Sequence, residues 1–364
     1  MDVINLFGFK INALIGLFIL TIIITVFFTY FIKRILINAK IADNPIVSEH
    51  RHKTGTPTMG GIAFLFTILL IASIYFKNQY IFIPAILMVT AGIAGLIDDL
   101  IGLKVKEYQK LVKNVSNSPV NIGQLTLDVG CEARAATEKA KREVDGLIDD
   151  GKLKLVAEIP IKTEINEFEK IIIQLIIGIF LVVTGAITTL GGFSLGLLSI
   201  PVVLIAIVGA INSVNLIDGM DGLAAGIIAI ASFASIIFMF LNGNIDNSYP
   251  FVILTGLCLG FLIFNKYPAS IFMGDTGSFV LGAGYATAVL LCDVPYFGVL
   301  ALAVPIVSVI VSLFHRANII HLPTEPLHHT LNSIGFSEKK IIAIYWSLTA
   351  IVSIIGLLIS YFIF

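Results

Sequence analysis

Five aspartates stand out because each lies beside a long apolar run. Asp98 and Asp99 lie in "GLIDDL", Asp218 and Asp221 in "NSVNLIDGMDG", and Asp275 in "FMGDTGS". Ionisable residues at membrane depth are costly, so they are candidates for function. Carboxylates that converge on one place repel each other unless a proton or a cation lies between them. A divalent cation would relieve the repulsion, and an all-oxygen ligand set favours Mg²⁺ or Mn²⁺ over zinc.

Two further polar clusters carry groups that bind anionic oxygens. "RHKTGTPTMGG" at 51–61 contains Lys53, and "HRANIIHLPTEPLHH" at 315–329 contains Arg316, His328 and His329. Cationic side chains form strong hydrogen bonds with phosphate oxygens. In addition, "PTMGG", "DGMDGLAAG" and "GDTGS" each precede an apolar run, so helix N-termini with free N–H groups are expected there. Metal, basic loops and helix starts together predict a site for a diphosphate.

The composition identifies the elements that must position these residues. The 364-residue chain is 57% hydrophobic and 13% charged, with a mean hydropathy of +0.98, whereas about 25% of residues in soluble domains are charged. An integral membrane protein is therefore predicted, and no nucleic-acid partner is expected, although the net charge of −1 by itself says nothing about such a partner. Ten apolar stretches are long enough to cross a bilayer as helices: 11–33, 58–76, 80–97, 170–189, 194–214, 222–241, 249–264, 277–293, 296–314 and 341–363.

The basic residues orient these ten spans. Of the 23 Lys and Arg residues, only Lys10 and Lys77 lie in one of the two alternating sets of loops. Loops rich in Lys and Arg remain in the cytoplasm. Both termini are therefore predicted outside, and the active site is predicted on the cytoplasmic face.

The position of the clusters decides between a functional and a simpler interpretation. Asp-Gly and Gly-Gly steps are turn formers, and a carboxylate pair at a helix end can simply anchor a span. All five clusters, however, fall on the predicted inner side, whereas outer loops such as "NGNIDNSYP" carry no comparable grouping. A second pair, Asp149 and Asp150 in "GLIDDG", ends a polar helix before a glycine, and we predict no catalytic role for it.

A polar block at 103–168 interrupts the apolar pattern. "ARAATEKAKREVDGLIDDG" is typical of a helix that ends at Gly151, and "KLKLVAEIPIKTEI" alternates like a strand. The predicted fold is an all-α polytopic membrane protein with about ten transmembrane helices, both termini outside, and a small α/β cytoplasmic insert. Its parts are 1–102 with three helices and the first cytoplasmic loop, the insert at 103–168, and 169–364 with the remaining helices and the catalytic loops.

Two other classes of membrane protein also use intramembrane carboxylates. An ion-coupled transporter places them near the bilayer midplane on broken helices, often within inverted repeats; here they lie at the inner edge and no repeat is evident. An intramembrane aspartyl protease is suggested by "MGDTG" and a second Asp, and its two carboxylates would share a proton. The residues alone leave both classes open.

The ordered set of clusters resembles one enzyme family. "KTGTPTMGG", "GLIDDL", "NSVNLIDGMDGLAAG", "FNKYPASIFMGDTGS" and "PLHHTLNSIGFSE" are similar to motifs of the polyprenyl-phosphate N-acetylhexosamine-1-phosphate transferases, glycosyltransferase family 4. This family includes phospho-MurNAc-pentapeptide transferases of peptidoglycan synthesis and GlcNAc-1-phosphate transferases of glycan pathways. The resemblance implies a Mg²⁺-dependent transfer of a phospho-sugar from a UDP-N-acetylhexosamine to a polyprenyl or dolichyl phosphate in the membrane lipid, with release of UMP.

The resemblance also implies roles for single residues. Asp98 and Asp99 match the paired aspartates, with Asp98 as the base for the lipid phosphate, and Asp275 matches the Mg²⁺ ligand. His328 and His329 match the first two of three histidines in the pentapeptide-transferase branch and are counted with the catalytic group. The positions that match substrate contacts are Lys53, Thr58, Asn215, Asp218, Asp221, Asn265 and Phe272, the last stacking on uracil.

Two departures from the bacterial pattern bear on the sugar. Thr330 stands at the third histidine position, and the loop after the paired aspartates carries the long insert. Both favour a divergent branch with a simpler sugar, so GlcNAc-1-phosphate transfer is the first expectation and phospho-MurNAc-pentapeptide transfer is the alternative. The sequence does not determine the oligomeric state, and a homodimer is one of the states it allows.

Overall fold

The computed structural model describes residues 3–41, 55–104, 106–122, 125–134, 138–162 and 166–363. These residues divide into two compact units. The membrane unit consists of the described parts of 1–43, 53–99 and 166–364, and the insert unit contains the described parts of 100–165.

Helices account for most of the membrane unit. In chain order the helices of both units are α1 (Val3–Asn38), α2 (Ile62–Ile74), α3 (Gln79–Lys104), α4 (Glu138–Asp149), α5 (Glu167–Val183), α6 (Ser199–Ile217), α7 (Leu223–Leu241), α8 (Tyr249–Asn265), α9 (Gly274–Leu291), α10 (Pro295–Ala301), α11 (Ala303–Arg316), α12 (Leu327–Ser333) and α13 (Glu338–Ile363). Each of the ten predicted apolar stretches overlaps at least one of these helices.

Several of these helices can cross a bilayer by length and composition. Within the described residues, five do so: Asn12–Asn38, Gln79–Leu103, Gly196–Ile217, Leu223–Leu241 and Glu338–Phe362, and the bent pair α10–α11 makes a sixth. The apolar helices α2 and α8 are shorter, with 13 and 17 residues. The chain is therefore a multi-pass membrane protein, while the count of ten spans and the outside placement of both termini stay predictions.

The ninth predicted span is divided into two helices. α10 and α11 meet at Leu302 with a bend of 69°, so the prediction of one continuous helix over 296–314 is wrong there. Pro305 lies in the first turn of α11. Proline has no N–H to bond the carbonyl of Ala301, and its ring clashes with that carbonyl in a straight helix. The bend thus follows from a single residue type.

The fourth and fifth predicted spans are joined by a tight hairpin, as "TLGG" indicated. α5 ends at Val183, and the strands β6 (Thr189–Leu190) and β7 (Phe193–Ser194) pair antiparallel. Gly191 and Gly192 have φ values of +60° and +81°. A two-residue hairpin turn of type I′ needs positive φ at both central positions, which glycine adopts without strain.

The insert unit is a small α/β fold. Its strands are β1 (Lys106–Asn114), β2 (Val120–Ile122), β3 (Leu125–Leu127), β4 (Glu132–Arg134) and β5 (Leu153–Lys162), with an antiparallel sheet in the order β4-β1-β5 and a β2–β3 pair. Helix α4 places Val144 in the core beside residues such as Val112. The predicted helix and strand are confirmed. Asp149 and Asp150 are exposed at the end of α4, and Asp150 pairs with Lys152 at 3.3 Å.

α1 and α8 pack through small residues. A Cβ atom added to Gly256 would lie 2.8 Å from Thr21 Cβ, and one added to Gly260 would lie 2.9 Å from Thr25 Cβ. The hydroxyls of Thr21 and Thr25 donate to the carbonyls four residues earlier, so neither is left unsatisfied in the contact. Small residues let two helix backbones approach closely in a membrane, where packing drives association.

Replacing Gly260 by Val should destabilise this contact. The added methyl groups must displace Thr25 or the carbonyl of Ile22, which lies 3.1 Å from the added Cβ, and overpacking of this kind costs about 1 to 3 kcal/mol. We expect a lower midpoint of thermal unfolding in detergent. The matched control is Gly16→Val in α1, where nothing lies within 4 Å of the added Cβ. If the midpoint of thermal unfolding falls equally in both variants, the effect is caused by the helix propensity of valine and not by packing against α1.

Candidate active site

The start of α9 is the meeting point of the polar clusters. The segment 269–278 forms hydrogen bonds with three of the other four clusters: with Asp99 in α3, with Asn215 and Asp221 in "NSVNLIDGMDG", and with residues 57–61 before α2. The cluster at 315–329 joins through "NSVNLIDGMDG", because His328 lies against Gly219. The structure therefore brings all five clusters together, as their placement in the sequence predicted.

Asp99 supports the start of α9. Its Oδ1 accepts a hydrogen bond from Asp275 N at 3.2 Å, and its Oδ2 accepts from Thr276 N at 3.0 Å and from Thr276 Oγ1 at 2.7 Å. A carboxylate in this place satisfies the first N–H groups of a helix and interacts favourably with its dipole. The expectation that "GDTGS" offers these N–H groups to phosphate is therefore wrong for residues 275 and 276.

Asp98 has a different partner. Its Oδ2 lies 2.7 Å from Lys170 Nζ, and the same Nζ lies 3.7 Å from Asp275 Oδ2. Asp98 and Lys170 are 1% and 6% exposed, whereas the Asp275 side chain is 19% exposed. A buried ion pair must be well paired to offset the loss of hydration. Lys170 thus lies between two carboxylates from different helices, of which Asp275 is the more accessible.

Helix geometry explains why the adjacent aspartates separate. Successive residues on an α-helix point about 100° apart, so neighbours in sequence do not face the same partner. Asp99 is directed to α9, and Asp98 to Lys170 in the first turn of α5. The two carboxylates of the pair therefore serve different neighbours.

Asn215 fixes the orientation of Asp275. Its Nδ2 donates to Asp275 Oδ1 at 2.8 Å and is 3.0 Å from Ser278 Oγ. Asp275 Oδ1 is therefore bound to α6, while Oδ2 faces Lys170. The last turn of α6 thus supplies the group that orients this carboxylate.

Glycines permit the close approach of these helices. A Cβ atom on Gly95 of α3 would lie 2.2 Å from the carbonyl oxygen of Asp275, and one on Gly61 would lie 2.2 Å from Gly277 N. Gly274 has φ +70°, and a Cβ there would lie 2.6 Å from Asp99 Oδ2. A larger residue at any of these positions would push the carboxylates apart.

The segment before α2 pairs with the segment before α9. Phe272 N donates to Pro57 O, Gly60 N donates to Phe272 O, both at 2.8 Å, and Gly61 N donates to Met273 O at 2.9 Å. Thr58, half-buried, lies within this paired stretch, whereas Lys53 lies outside the described residues. The backbone donors of Gly60 and Gly61 are used internally, so they are not offered to phosphate as "PTMGG" suggested.

The turn at 218–222 holds a network of polar groups. Asp221 N donates to Glu338 Oε1 at 2.9 Å, and Asp221 Oδ2 accepts from Ala269 N at 2.8 Å. Asp221 is 3% exposed, whereas Asp218, which follows the last residue of α6, is half-buried. Asp221 therefore ties α13 and the 266–270 loop to the turn.

The histidines lie against this turn. A Cβ atom on Gly219 would come within 2.5 Å of His328 Nε2 and 3.0 Å of His329 Nε2, and the two rings are 4.5 Å apart. His328 is buried and His329 half-buried. Thr330, at the third histidine position, is 8% exposed, and its hydroxyl donates to Thr324 O. Position 330 in this chain therefore stabilises the loop before α12.

Asn265 and Phe272 flank the α8–α9 connection. Asn265 Nδ2 donates to Ile271 O at 2.9 Å, and the residue is 2% exposed. Its Oδ1 is buried and has no hydrogen-bond partner among the described residues. Buried polar atoms are nearly always paired, and an exception indicates a missing ligand or water. Phe272 is half-buried beside the same segment.

An apolar groove adjoins the carboxylates. It has a volume of about 620 Å³ and runs between α5, α6, α9, α10 and α11. Asn215, which orients Asp275, lines it. Most of the other lining residues are aliphatic, and the polar ones gather where α6 and α11 end. The groove can hold an extended apolar chain whose polar end lies close to the carboxylates.

The comparisons with known proteins identify the family. Residues 144–293 match the family described as glycosyl transferase family 4, and residues 53–65 match phospho-N-acetylmuramoyl-pentapeptide-transferase signature 1. A protein of Methanothermobacter thermautotrophicus, named provisionally as a phospho-N-acetylmuramoyl-pentapeptide-transferase, is 57% identical over 340 residues, 93% of this chain and 96% of the relative. This chain belongs to glycosyl transferase family 4.

Bacterial members of family 4 align along nearly their whole length. Phospho-N-acetylmuramoyl-pentapeptide-transferases of Alkaliphilus metalliredigens and Alkaliphilus oremlandii are 32% and 31% identical, over 94% and 95% of this chain and 95% and 96% of their own. Family 4 membership indicates a transferase that uses a nucleotide-sugar and a lipid phosphate at a membrane. It favours this class over a transporter or an aspartyl protease.

The residues of this family 4 protein fit a magnesium ion. Within the described ranges, no group of three His, Cys, Asp or Glu side chains is arranged to hold a metal. Mg²⁺ is usually held by one or two carboxylates plus substrate phosphates, so a smaller set is sufficient. Asp98 and Asp275 supply two carboxylates that already face one cationic group, Lys170 Nζ. The donor chemistry therefore suits an ion that is bound together with a diphosphate.

Sequence reasoning missed Lys170 and Glu338 as members of the family 4 site. Lys170 enters the prediction only as one of the basic residues that orient the spans, although it is the charged residue that opens the apolar run "KIIIQLIIG". Gln174, one turn later and fully buried, pairs with Asn212 of α6 at 2.6 Å. Polar residues four apart on an apolar helix share one face, and that spacing was the available signal. Glu338, at the start of α13, carried no comparable signal.

Proposed function

We propose that this protein transfers a phospho-N-acetylhexosamine from a UDP-sugar to a polyprenyl phosphate and releases UMP. The observation that carries the proposal is the cluster of Asp98, Lys170 and Asp275 beside an apolar groove, which is lined by Asn215, the hydrogen-bond partner of Asp275. A lipid phosphate needs an apolar channel that leads to charged groups. The names of the relatives favour a phospho-N-acetylmuramoyl-pentapeptide type of donor over the GlcNAc-1-phosphate donor expected first.

In the proposed reaction an oxygen of the lipid phosphate attacks the β-phosphorus of the UDP-sugar. The bond from the β-phosphorus to the bridging oxygen breaks, and UMP leaves. Asp98 is placed to accept the remaining proton of the lipid phosphate or to orient that phosphate. Lys170, 2.7 Å from Asp98, would stabilise negative charge that develops beside it.

Asp275 would hold the magnesium ion together with oxygens of the substrate phosphates. When bound, the ion neutralises phosphate charge and polarises the phosphoryl group that is transferred. Asn215 keeps Asp275 in one orientation. Asp99 has a supporting role in this proposal, because its oxygens position the first turn of α9 that carries Asp275.

The nucleotide would bind on the side of Asp275 that is occupied by Asn265 and Phe272, away from Asp98 and Lys170. Asn265 Oδ1, a buried acceptor without a partner in the described part of the chain, can accept a hydrogen bond from the uracil ring. Phe272 can stack on the base, and Lys53 and Thr58 can contact the phosphates. The sugar phosphate would lie at the 218–222 turn, which contains Asp218 and Asp221 and is contacted by His328 and His329. We therefore assign these four residues to donor binding.

One assay tests both the reaction and the donor. Purified full-length protein is incubated with Mg²⁺, a polyprenyl phosphate and one of four donors: UDP-GlcNAc, UDP-GalNAc, UDP-MurNAc or UDP-MurNAc-pentapeptide. We expect UMP release that needs both the lipid phosphate and the metal and is fastest with the peptide-bearing donor. If UMP release is fastest with UDP-GlcNAc, the protein is a GlcNAc-1-phosphate transferase, as the sequence first led us to expect. No UMP from any donor would refute the proposed function.

A further inference from the structure

The apolar groove ends in a small polar group formed by the last turns of α11. Ser312 and Arg316 both line the groove. They are four residues apart on one helix, so they lie on the same face. Asn215 of α6 and Glu325 line the same cavity. The groove therefore presents a hydroxyl and a guanidinium to whatever occupies its polar end.

Ser312 is one of several buried helix hydroxyls without a hydrogen-bond partner among the described residues, together with Thr29, Ser232 and Ser353, and of these four it is the one that lines the groove. Thr25, Thr67, Ser235 and Ser308 all donate to the backbone carbonyl four residues earlier, at 2.7 to 3.0 Å. Ser312 is 3% exposed, and its Oγ has no hydrogen-bond partner within the described residues. An unpaired buried hydroxyl costs free energy. A ligand in the groove would supply the missing partner.

Only one nitrogen of the Arg316 guanidinium has a hydrogen-bond partner among the described residues. Its Nε donates to Glu325 Oε1 at 2.7 Å, and its side chain is 55% exposed. Across the described ranges no hydrogen bond or ion pair involves its two terminal nitrogens. These nitrogens form the paired donor edge that binds phosphate oxygens bidentately. Glu325 thus orients the group without using that edge.

We propose that Ser312 and Arg316 dock the phosphate of the lipid acceptor at the polar end of the groove, before it reaches Asp98 and Lys170. The inference rests on the proposed function and adds the residues that recognise the acceptor headgroup. Glu167 and Glu325 line the same cavity, and their negative charge would repel a phosphate. A cationic partner is therefore required at this end, and Arg316 is the basic residue among those that line the groove.

Steady-state kinetics test this docking role. Arg316→Ala should raise the KM for polyprenyl phosphate about tenfold or more and Ser312→Ala about threefold, since hydrogen bonds to charged groups are stronger than neutral ones. The KM for the UDP-sugar should stay within twofold of wild type. Arg316→Lys, which keeps the charge but loses the paired donors, should lie between wild type and Arg316→Ala. An unchanged lipid KM in Arg316→Ala, or an equal rise in both KM values, would overturn the inference.

Two control variants separate docking from general effects. Ser308→Ala removes a hydroxyl one turn earlier on α11 that already bonds Val304 O, and Arg34→Ala removes a basic residue of α1 that stacks on Tyr30. We expect both variants to keep the wild-type KM for polyprenyl phosphate. A tenfold rise in Arg34→Ala would assign the effect to surface charge and overturn the specific role of Arg316.

A binding experiment distinguishes this inference from the proposed reaction. Radiolabelled polyprenyl phosphate and the neutral polyprenol are bound to the protein without any UDP-sugar. Wild type should prefer the phosphate at least tenfold, and Arg316→Ala should lose that preference while it still binds polyprenol. If no donor releases UMP but Arg316→Ala loses the preference, docking stands and the proposed reaction fails. If the preference survives in Arg316→Ala, docking is refuted whatever the reaction.

Discussion

Asp275→Asn is expected to reduce UMP release about a thousandfold, in line with the loss of a group that stabilises the transition state. The asparagine retains an oxygen that can accept from Asn215 Nδ2 and removes only the charge that faces Lys170. The variant should therefore fold normally and lose its response to Mg²⁺. The measurement is the initial rate of UMP release over a range of Mg²⁺ concentrations, together with the midpoint of thermal unfolding.

Asp149→Asn is the matched control for Asp275→Asn. Asp149 is exposed at the end of α4 in the insert unit, and exposed charges contribute little to folding. We expect this variant to release UMP at the wild-type rate. Near-normal turnover in Asp275→Asn would refute the assignment of the metal-binding carboxylate, and a deep loss in Asp149→Asn would transfer a catalytic role to the second aspartate pair.

Lys170→Met is the second change with a large expected effect. It leaves Asp98, 1% exposed, without the ammonium that lies 2.7 Å away. Removing one partner of a buried ion pair costs about 3 to 5 kcal/mol because the remaining charge is uncompensated. We therefore expect a lower unfolding midpoint and a loss of UMP release of at least about a hundredfold. Both quantities are measured on the same purified protein.

The double variant Lys170→Met with Asp98→Asn separates the two effects. It removes both charges of the pair, so much of the stability lost in Lys170→Met should return, while UMP release should stay low. Such non-additivity is expected for residues in direct contact. Recovery of both stability and turnover would mean that neither charge takes part in the reaction.

The fold assigns unequal roles to the five aspartates. Asp98 and Asp275 face Lys170, Asp99 supports the start of α9, and Asp221 connects the 218–222 turn to Glu338 and Ala269. A carboxylate that accepts hydrogen bonds from backbone N–H groups is occupied structurally. Loss of activity on replacing Asp99 would thus follow from displacement of the first turn of α9, and not from direct contact of Asp99 with the reacting phosphates.

Three features could be predicted from the amino-acid order. They are the membrane character, the helices at the ten apolar stretches, and the gathering of the polar clusters. Apolar runs of bilayer length become helices because their backbone groups must be satisfied within the segment. Clusters at matching ends of such helices meet on one side of the membrane. The helix and strand of the insert, α4 and β5, followed from their own local patterns.

Only the tertiary structure decided which neighbour each polar group meets. The string "DD" cannot show that Asp99 turns to α9 and Asp98 to Lys170, because that depends on how α3 is rotated about its axis against α5 and α9. The groove and the unpaired hydroxyl of Ser312 likewise depend on the bend at Leu302 and on how α11 packs beside α6. Sequence periodicity specifies one helix at a time, whereas partners on different helices are selected by packing, to which Gly61, Gly95 and Gly274 contribute by permitting close approach.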